Sequence, residues 1–177
     1  APALAVHRQL VAAAPEGPWR AMQARCQARL AGKTSTLPAL SPGFPEHETS
    51  ARGCFQWALL YRLDSRREET IAWLERAVRL KPGDYWSQFY LGYYHWRAGH
   101  IQRALEHDQA AVALRPASPW AWFNLALLHR ARGDLDQAID DLDQALAAAR
   151  DFDFLEARLQ LGLVKQSLGD SVGARAA

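Results

Sequence analysis

The sequence is poor in sulfur and nearly without lysine. Two cysteines, Cys26 and Cys54, stand in 177 residues. They are too few and too far apart for a zinc motif or a disulfide framework. Free thiols, buried or half-buried, are the expectation, with a single bridge left open. Lys33, Lys81 and Lys165 are the only lysines among 21 basic residues, so the rest are arginines. That bias reflects either bidentate carboxylate contacts or simply a GC-rich genome. A dominant charge is missing too: 21 basic residues face 19 acidic ones, a net +2. This balance is too even to mark a nucleic-acid surface. No apolar run approaches the roughly 18 residues of a membrane span, and no secretory leader pattern is present. The chain begins at Ala1, which fits processing or excision from a larger or secreted protein. The compartment therefore stays open, with the cytoplasm slightly favoured.

What is abundant is tryptophan, seven residues against one methionine, and it sits within a repeat. Pro82 and Pro116 each close a run of the same shape, "AWLERAVRLKP" and "EHDQAAVALRP". Counting back divides the chain into blocks 51–84, 85–118 and 119–152 with no insertion. Ser65, Gly99 and Gly133 share one position; Thr70, Ala104 and Ala138 another; Ala77, Ala111 and Ala145 a third. After a two-residue slip, Leu161-Gly162, Gly169-Asp170 and Ala174 restart the pattern from Leu155. Each block reads as a first helix of about thirteen residues, a Gly-containing turn and a second helix closed by proline. Glycine at the turn takes a positive φ without a Cβ penalty.

These residues resemble the tetratricopeptide repeat (TPR) pattern Trp-x2-Leu-Gly-x2-Tyr, Ala-x3-Phe, Ala, Pro. Block 51–84 carries Trp57, Ala58, Tyr61, Leu74, Ala77 and Pro82. Block 85–118 carries Leu91, Gly92, Ala104, Ala111 and Pro116, but departs at Gln88, His95 and Asp108, where large apolar residues are usual. Block 119–152 carries Trp122, Leu125, Ala126, Ala138, Leu142 and Ala145, with Arg150 in place of proline. The resemblance implies an all-α, right-handed superhelical array of antiparallel helix pairs. The expected array has about 3.5 repeats, the last one partial over 155–177 and lacking the usual capping helix. Residues 1–31 read as an N-terminal helical hairpin, and 32–50 as a Pro/Ser/Thr-rich loop.

In the TPR family the first helices line the concave face. Positions 2, 5, 9 and 12 of each block form one helical stripe. Block one gives Arg52, Phe55, Leu59 and Arg62, and block two gives Trp86, Phe89, Tyr93 and Trp96. Block three gives Trp120, Phe123, Leu127 and Arg130, and block four Glu156, Leu159, Leu163 and Gln166. Arg62, Arg97 and Arg130 stand at its edge. The stripe is expected to be free of ordinary helix packing, which uses Trp57, Leu91, Trp122 and Leu125 instead. An exposed aromatic face of this size marks an interaction surface. The expected partner is a protein or peptide with bulky apolar anchors, in a non-catalytic scaffold with no cofactor and no membrane insertion. Two alternatives stay open: the groove is filled by residues 1–50, or by a second copy in a homo-oligomer. Single-stranded nucleic acid ranks last, because the block-two stripe is uncharged and Asp84 and Glu156 flank it.

Other chemistry finds little support. The C-terminal carboxylate clamp of chaperone-binding TPR domains needs Lys, Arg and Asn where this chain has Phe55, Leu59, Phe89 and Tyr93. His95 and His129 occupy one repeat position and are expected to be packed imidazoles rather than metal ligands. "DLDQAIDDLDQ" lacks the glycine and terminal glutamate of a calcium loop. No nucleophile elbow, zinc-protease or kinase motif is present.

Overall fold

The computed structural model describes residues 50–176 apart from Asp64 and Asp151, with side chains to Gly169. The expected N-terminal hairpin and most of the 32–50 loop, with Cys26, lie outside the described residues. Among those described there are seven helices: α1 (Ala51–Leu63), α2 (Arg67–Leu80), α3 (Tyr85–Arg97), α4 (Ile101–Leu114), α5 (Pro119–Arg132), α6 (Leu135–Ala148) and α7 (Leu155–Ala176). The chain divides into two compact units, residues 1–82 and 83–177. Helices pair in sequence order as antiparallel hairpins: α1 with α2 in the first unit, α3 with α4 and α5 with α6 in the second.

The turns follow the repeat register. Ser65, Gly99 and Gly133 all have positive φ, at 59°, 79° and 86°. Each sits just past a first helix, and the residue after it donates its amide back over the last turn. Arg66 bonds Tyr61 O at 3.0 Å, His100 bonds His95 O at 2.9 Å and Asp134 bonds His129 O at 2.9 Å. These 6→1 bonds satisfy carbonyls that a helix end otherwise orphans. Only block one makes the turn with a side chain that disfavours it. Ser65→Gly is expected to raise stability by up to about 1 kcal/mol, seen as a higher urea midpoint with an unchanged slope.

In the first unit Trp57 stacks on Trp73, centroids 5.9 Å apart, over buried Leu60, Tyr61, Leu74 and Ala77. Trp73 is a core residue here, and Cys54 is a buried thiol. The second unit holds two cores. One joins Tyr85, Leu105, Val112, Leu125 and Leu128 across α3, α4 and α5. The other joins Ala126, Leu142, Phe154 and Val164 across α5, α6 and α7. Trp122 lies half-buried between them and anchors its indole to Pro116 O at 2.8 Å. The small residues let the helices approach: Ala104, Ala111, Ala138 and Ala145 are fully buried.

One expectation is corrected. The repeat register predicts a turn into a second helix at Gly169-Asp170, but α7 continues through it to Ala176. A turn is stabilised by the packed helix that follows. Among the described residues no further helix packs against α7 beyond Gly169, so propagating the existing helix, at one backbone bond per residue, is cheaper than nucleating a new one. Correspondingly, Gly162 has no atom near the space its Cβ would fill, whereas its counterpart Gly92 is covered by Asp108.

Candidate functional site

On α3 the aromatic residues follow one another almost without interruption, YWSQFYLGYYHWR. Asp84 starts the helix, its carboxylate accepting from Ser87 N at 2.9 Å and Ser87 Oγ at 2.7 Å. From that start the helical spacing sorts the aromatics between the core and solvent. Tyr85 and Tyr94 are buried, and Phe89 and Trp96 are half-buried against the α3–α4–α5 core. Trp86 and Tyr93 face solvent at 45% and 36% exposure. The rings brace one another: Trp86 meets Phe89 edge-on at 6.1 Å, and Tyr93 meets Trp96 at 6.4 Å.

The stripe continues on α5, which touches α3 directly. Trp120 is 46% exposed, while Phe123 packs against the second core. Leu127 is half-buried and Arg130 exposed. The segment before α7 adds residues that the repeat register gave no role. Phe152 is exposed and stacks with Trp120, centroids 6.5 Å apart and planes 13° apart. Phe154 is buried beneath Trp120 at 4.5 Å. The two-residue slip between blocks, 153–154, is the sequence signal of Phe154, and Phe152 stands just before it. Beyond them Leu159 and Leu163 of α7 are exposed, and Gln160 accepts a hydrogen bond from Arg130.

The structure thus brings together Trp86, Phe89, Tyr93, Trp96, Trp120, Phe123, Leu127 and Arg130 within the second unit, with Arg97 exposed at the end of α3. Phe55 and Leu59, both half-buried, and exposed Arg62 hold the same positions on α1 within the first unit. The expectation that the stripe is free of helix packing is corrected in part. Phe89 and Trp96 sit over the α3–α4–α5 core and Phe123 over the α5–α6–α7 core, so burial of their apolar rings seats them there. Trp86, Tyr93 and Trp120 remain as the solvent-facing edge.

Behind this face the α3–α4 pair holds unusual polar residues. Gln88, His95 and Asp108 are all buried. His107 Nδ1 lies 2.8 Å from Gln88 Oε1, and its ring stacks on His95 at 5.4 Å and 11°. His95 Nδ1 and Asp108 Oδ1 are buried with no hydrogen-bond partner. The neighbouring repeat solves the His95 and His107 positions differently: His129 Nδ1 pairs with Asp141 Oδ2 at 2.6 Å. Burial nevertheless holds the Asp141 carboxyl above its usual range, against the bond from His129. In block one those positions are Tyr61 and Trp73. Among the described residues no group of three His, Cys, Asp or Glu is placed to hold a metal.

Burial first, then His107, Arg103 and His100, pushes His95 from 6.5 down to about 4. The unfolded chain therefore takes up a proton that the folded chain refuses. Stability from this group is complete above about pH 6.5 and declines as pH falls towards 4. Asp108, pushed well above its usual value by burial, carries the opposite sign: its contribution is present in acid and is lost as pH rises through its folded value. A variant isolates the first effect. Wild type is expected to lose about 1.4 kcal/mol per pH unit relative to His95→Tyr between about pH 6.5 and 4, measured by urea unfolding at stepped pH.

Comparison with known proteins places this geometry. Two tetratricopeptide repeat family models match, over residues 119–152 and 86–128. Among solved structures, the first TPR of Spaghetti (RPAP3), bound to the HSP90 peptide SRMEEVD, superposes with a TM-score of 0.63 at 19% identity. That match covers 68% of this chain and 94% of that one. MamA superposes with a TM-score of 0.64 at 21% identity, over 68% of this chain and 70% of that one. MamA from Desulfovibrio magneticus RS-1 does so with 0.63 at 16%, over 73% and 72%. At these identities the likeness establishes the fold. No curated protein matches the sequence.

Proposed function

We propose that this chain, an all-helical domain of the tetratricopeptide type, is a non-catalytic protein-interaction module. Its second unit binds a peptide or helix on the aromatic face of α3 and α5. The observation that carries this reading is the row of solvent-facing Trp86, Tyr93, Trp120 and Phe152, standing on half-buried aromatics that fix their orientation. Rigid Trp and Tyr side chains lose little entropy on contact and dominate interface energetics. Soluble proteins seldom leave so continuous an apolar patch uncovered. The RPAP3 domain, of the same fold, holds a peptide, which supports the reading by analogy of fold.

The test is selection from a random linear-peptide display library on the full chain, followed by calorimetry on the selected peptides. Peptides carrying bulky apolar anchors, whose affinity falls in Trp86→Ala, support the proposal. Selection of no peptide from the full chain, with monomer mass by ultracentrifugation, would favour a groove filled from within. A concentration-dependent dimer that dissociates in Trp86→Ala would favour a second copy as occupant.

A further inference from the structure

The sequence places Arg62, Arg97 and Arg130 at the edge of the aromatic stripe, and the structure adds a fourth arginine stacked on its rings. Arg115 ends α4. Its guanidinium carbon lies 4.2 Å from the Tyr85 ring centroid and 5.4 Å from that of Trp86. Tyr85 is itself immobile: it is buried, and its hydroxyl is 2.7 Å from Ser118 Oγ. A guanidinium held over aromatic rings has its face covered and its N–H edge free for a planar acceptor. Much of the entropy that a long side chain loses on binding has been lost already.

No carboxylate takes that edge. Among the described residues Arg97, Arg115 and Arg130 make no ion pair, and Arg130 bonds only the neutral amide of Gln160. Asp134 and Asp153 pair with Arg132 and Arg158, and Asp84 caps α3 through Ser87 and keeps its charge there. Glu156 is the one acidic position of the stripe in this unit. The face therefore presents one guanidinium without an ion pair, that of Arg115, beside the exposed Trp86 indole, with Arg97 and Arg130 towards the far ends of α3 and α5.

We infer that the occupant of this face is an acidic amphipathic peptide, one of whose Asp or Glu side chains is held by the stacked Arg115 while a neighbouring apolar anchor lies on Trp86 and Trp120. This rests on the interaction-module reading above and adds the charge of the partner. A carboxylate matches the two-pronged guanidinium edge, and the apolar anchor uses the indoles beside it. Nucleic acid would need a basic track along its backbone. Three arginines at separate helix ends and no lysine do not provide one.

The experiment uses the full chain and the display library. Selected peptides are synthesised twice, once as selected and once with every Asp and Glu replaced by Asn and Gln. Both versions are titrated against wild type, Arg115→Gln and Arg115→Lys. The expected result is enrichment of acidic residues beside a Trp, Phe or Leu anchor. The amide version should bind roughly tenfold or more weakly to wild type, and equally to wild type and Arg115→Gln. Arg115→Lys should restore only part of the loss. Because the comparison is between two peptides on one protein, a change in folding does not mimic it. Equal affinity for the two versions, or selection of basic peptides, overturns the inference while leaving the aromatic face standing. If Trp86→Ala and Trp120→Ala leave binding unchanged, the interaction-module reading itself fails. Tighter binding of oligothymidylate than of any selected peptide would assign the arginines to nucleic acid and overturn the inference too.

Discussion

Gly92→Ala is expected to destabilise the second unit by about 1–3 kcal/mol, the usual cost of overpacking a filled core. A methyl group at Gly92 would lie 2.7 Å from Asp108 Cγ, well inside contact distance. Asp108 cannot swing away into solvent, since it is 1% exposed. The other repeats explain the pairing. Ala58 and Ala126 hold the Gly92 position, and Leu74 and Leu142 hold the Asp108 position, all four buried. Block two has exchanged both partners, a smaller residue opposite a polar one. Asp108→Leu removes a buried oxygen without a partner, a defect that costs about 1–3 kcal/mol. The double variant Gly92→Ala/Asp108→Leu should therefore be more stable than wild type, although the first substitution alone weakens it. Urea unfolding of the four proteins at neutral pH measures the coupling. Additive effects would mean that the two positions do not share one space.

Trp86→Ala and Trp120→Ala are each expected to weaken binding of a selected peptide by about 2 kcal/mol or more, the hot-spot range. Phe89→Ala and Trp96→Ala should divide the other way. Their rings pack against the α3–α4–α5 core, so truncation costs folding stability of about 1–3 kcal/mol for partly buried aromatics. Calorimetry and urea melts on the same four variants separate the two roles. Trp120 belongs to both in part, since it also covers Phe154, and its melt should shift more than that of Trp86→Ala. Leu114 on α4, exposed like Trp86 but on a second helix, provides the control. Leu114→Ala should leave affinity unchanged.

The helix pairs were legible because their signals are local and repeated. One 34-residue register places Ser65, Gly99 and Gly133 at turns and Ala77, Ala111 and Ala145 in helix contacts. The face of the helix carrying the aromatic stripe was legible by the same spacing. The division of the stripe into seated and exposed rings was not, because it depends on how deeply each position sits over the neighbouring helix. Phe152 closes block three at a position to which the repeat pattern gives no role, and Phe154 lies in the slip between blocks, where the register gives no position. Arg115 reads as the residue before a terminal proline. Only the fold lays it across Tyr85 and Trp86. The polar departures at Gln88, His95 and Asp108 were visible as exceptions, but their shared burial in one helix pair was not. The continuation of α7 through Gly169 shows the converse case, a turn signal overridden where no helix packs beyond it.

The most direct test is the indole region of a ¹⁵N–¹H spectrum of the full chain, titrated with a selected peptide and assigned by single Trp→Phe variants. The six tryptophans of the described residues report separately on the cores and on the exposed face. If the aromatic face of α3 and α5 is the binding surface, the Nε1–H signals of Trp86 and Trp120 move first and farthest. Those of Trp57 and Trp73, stacked in the first unit, and of Trp122, bonded to Pro116 O, stay in place. Saturable binding with Trp86 and Trp120 unmoved, and Trp57, Trp73 or Trp122 shifted instead, would contradict the account.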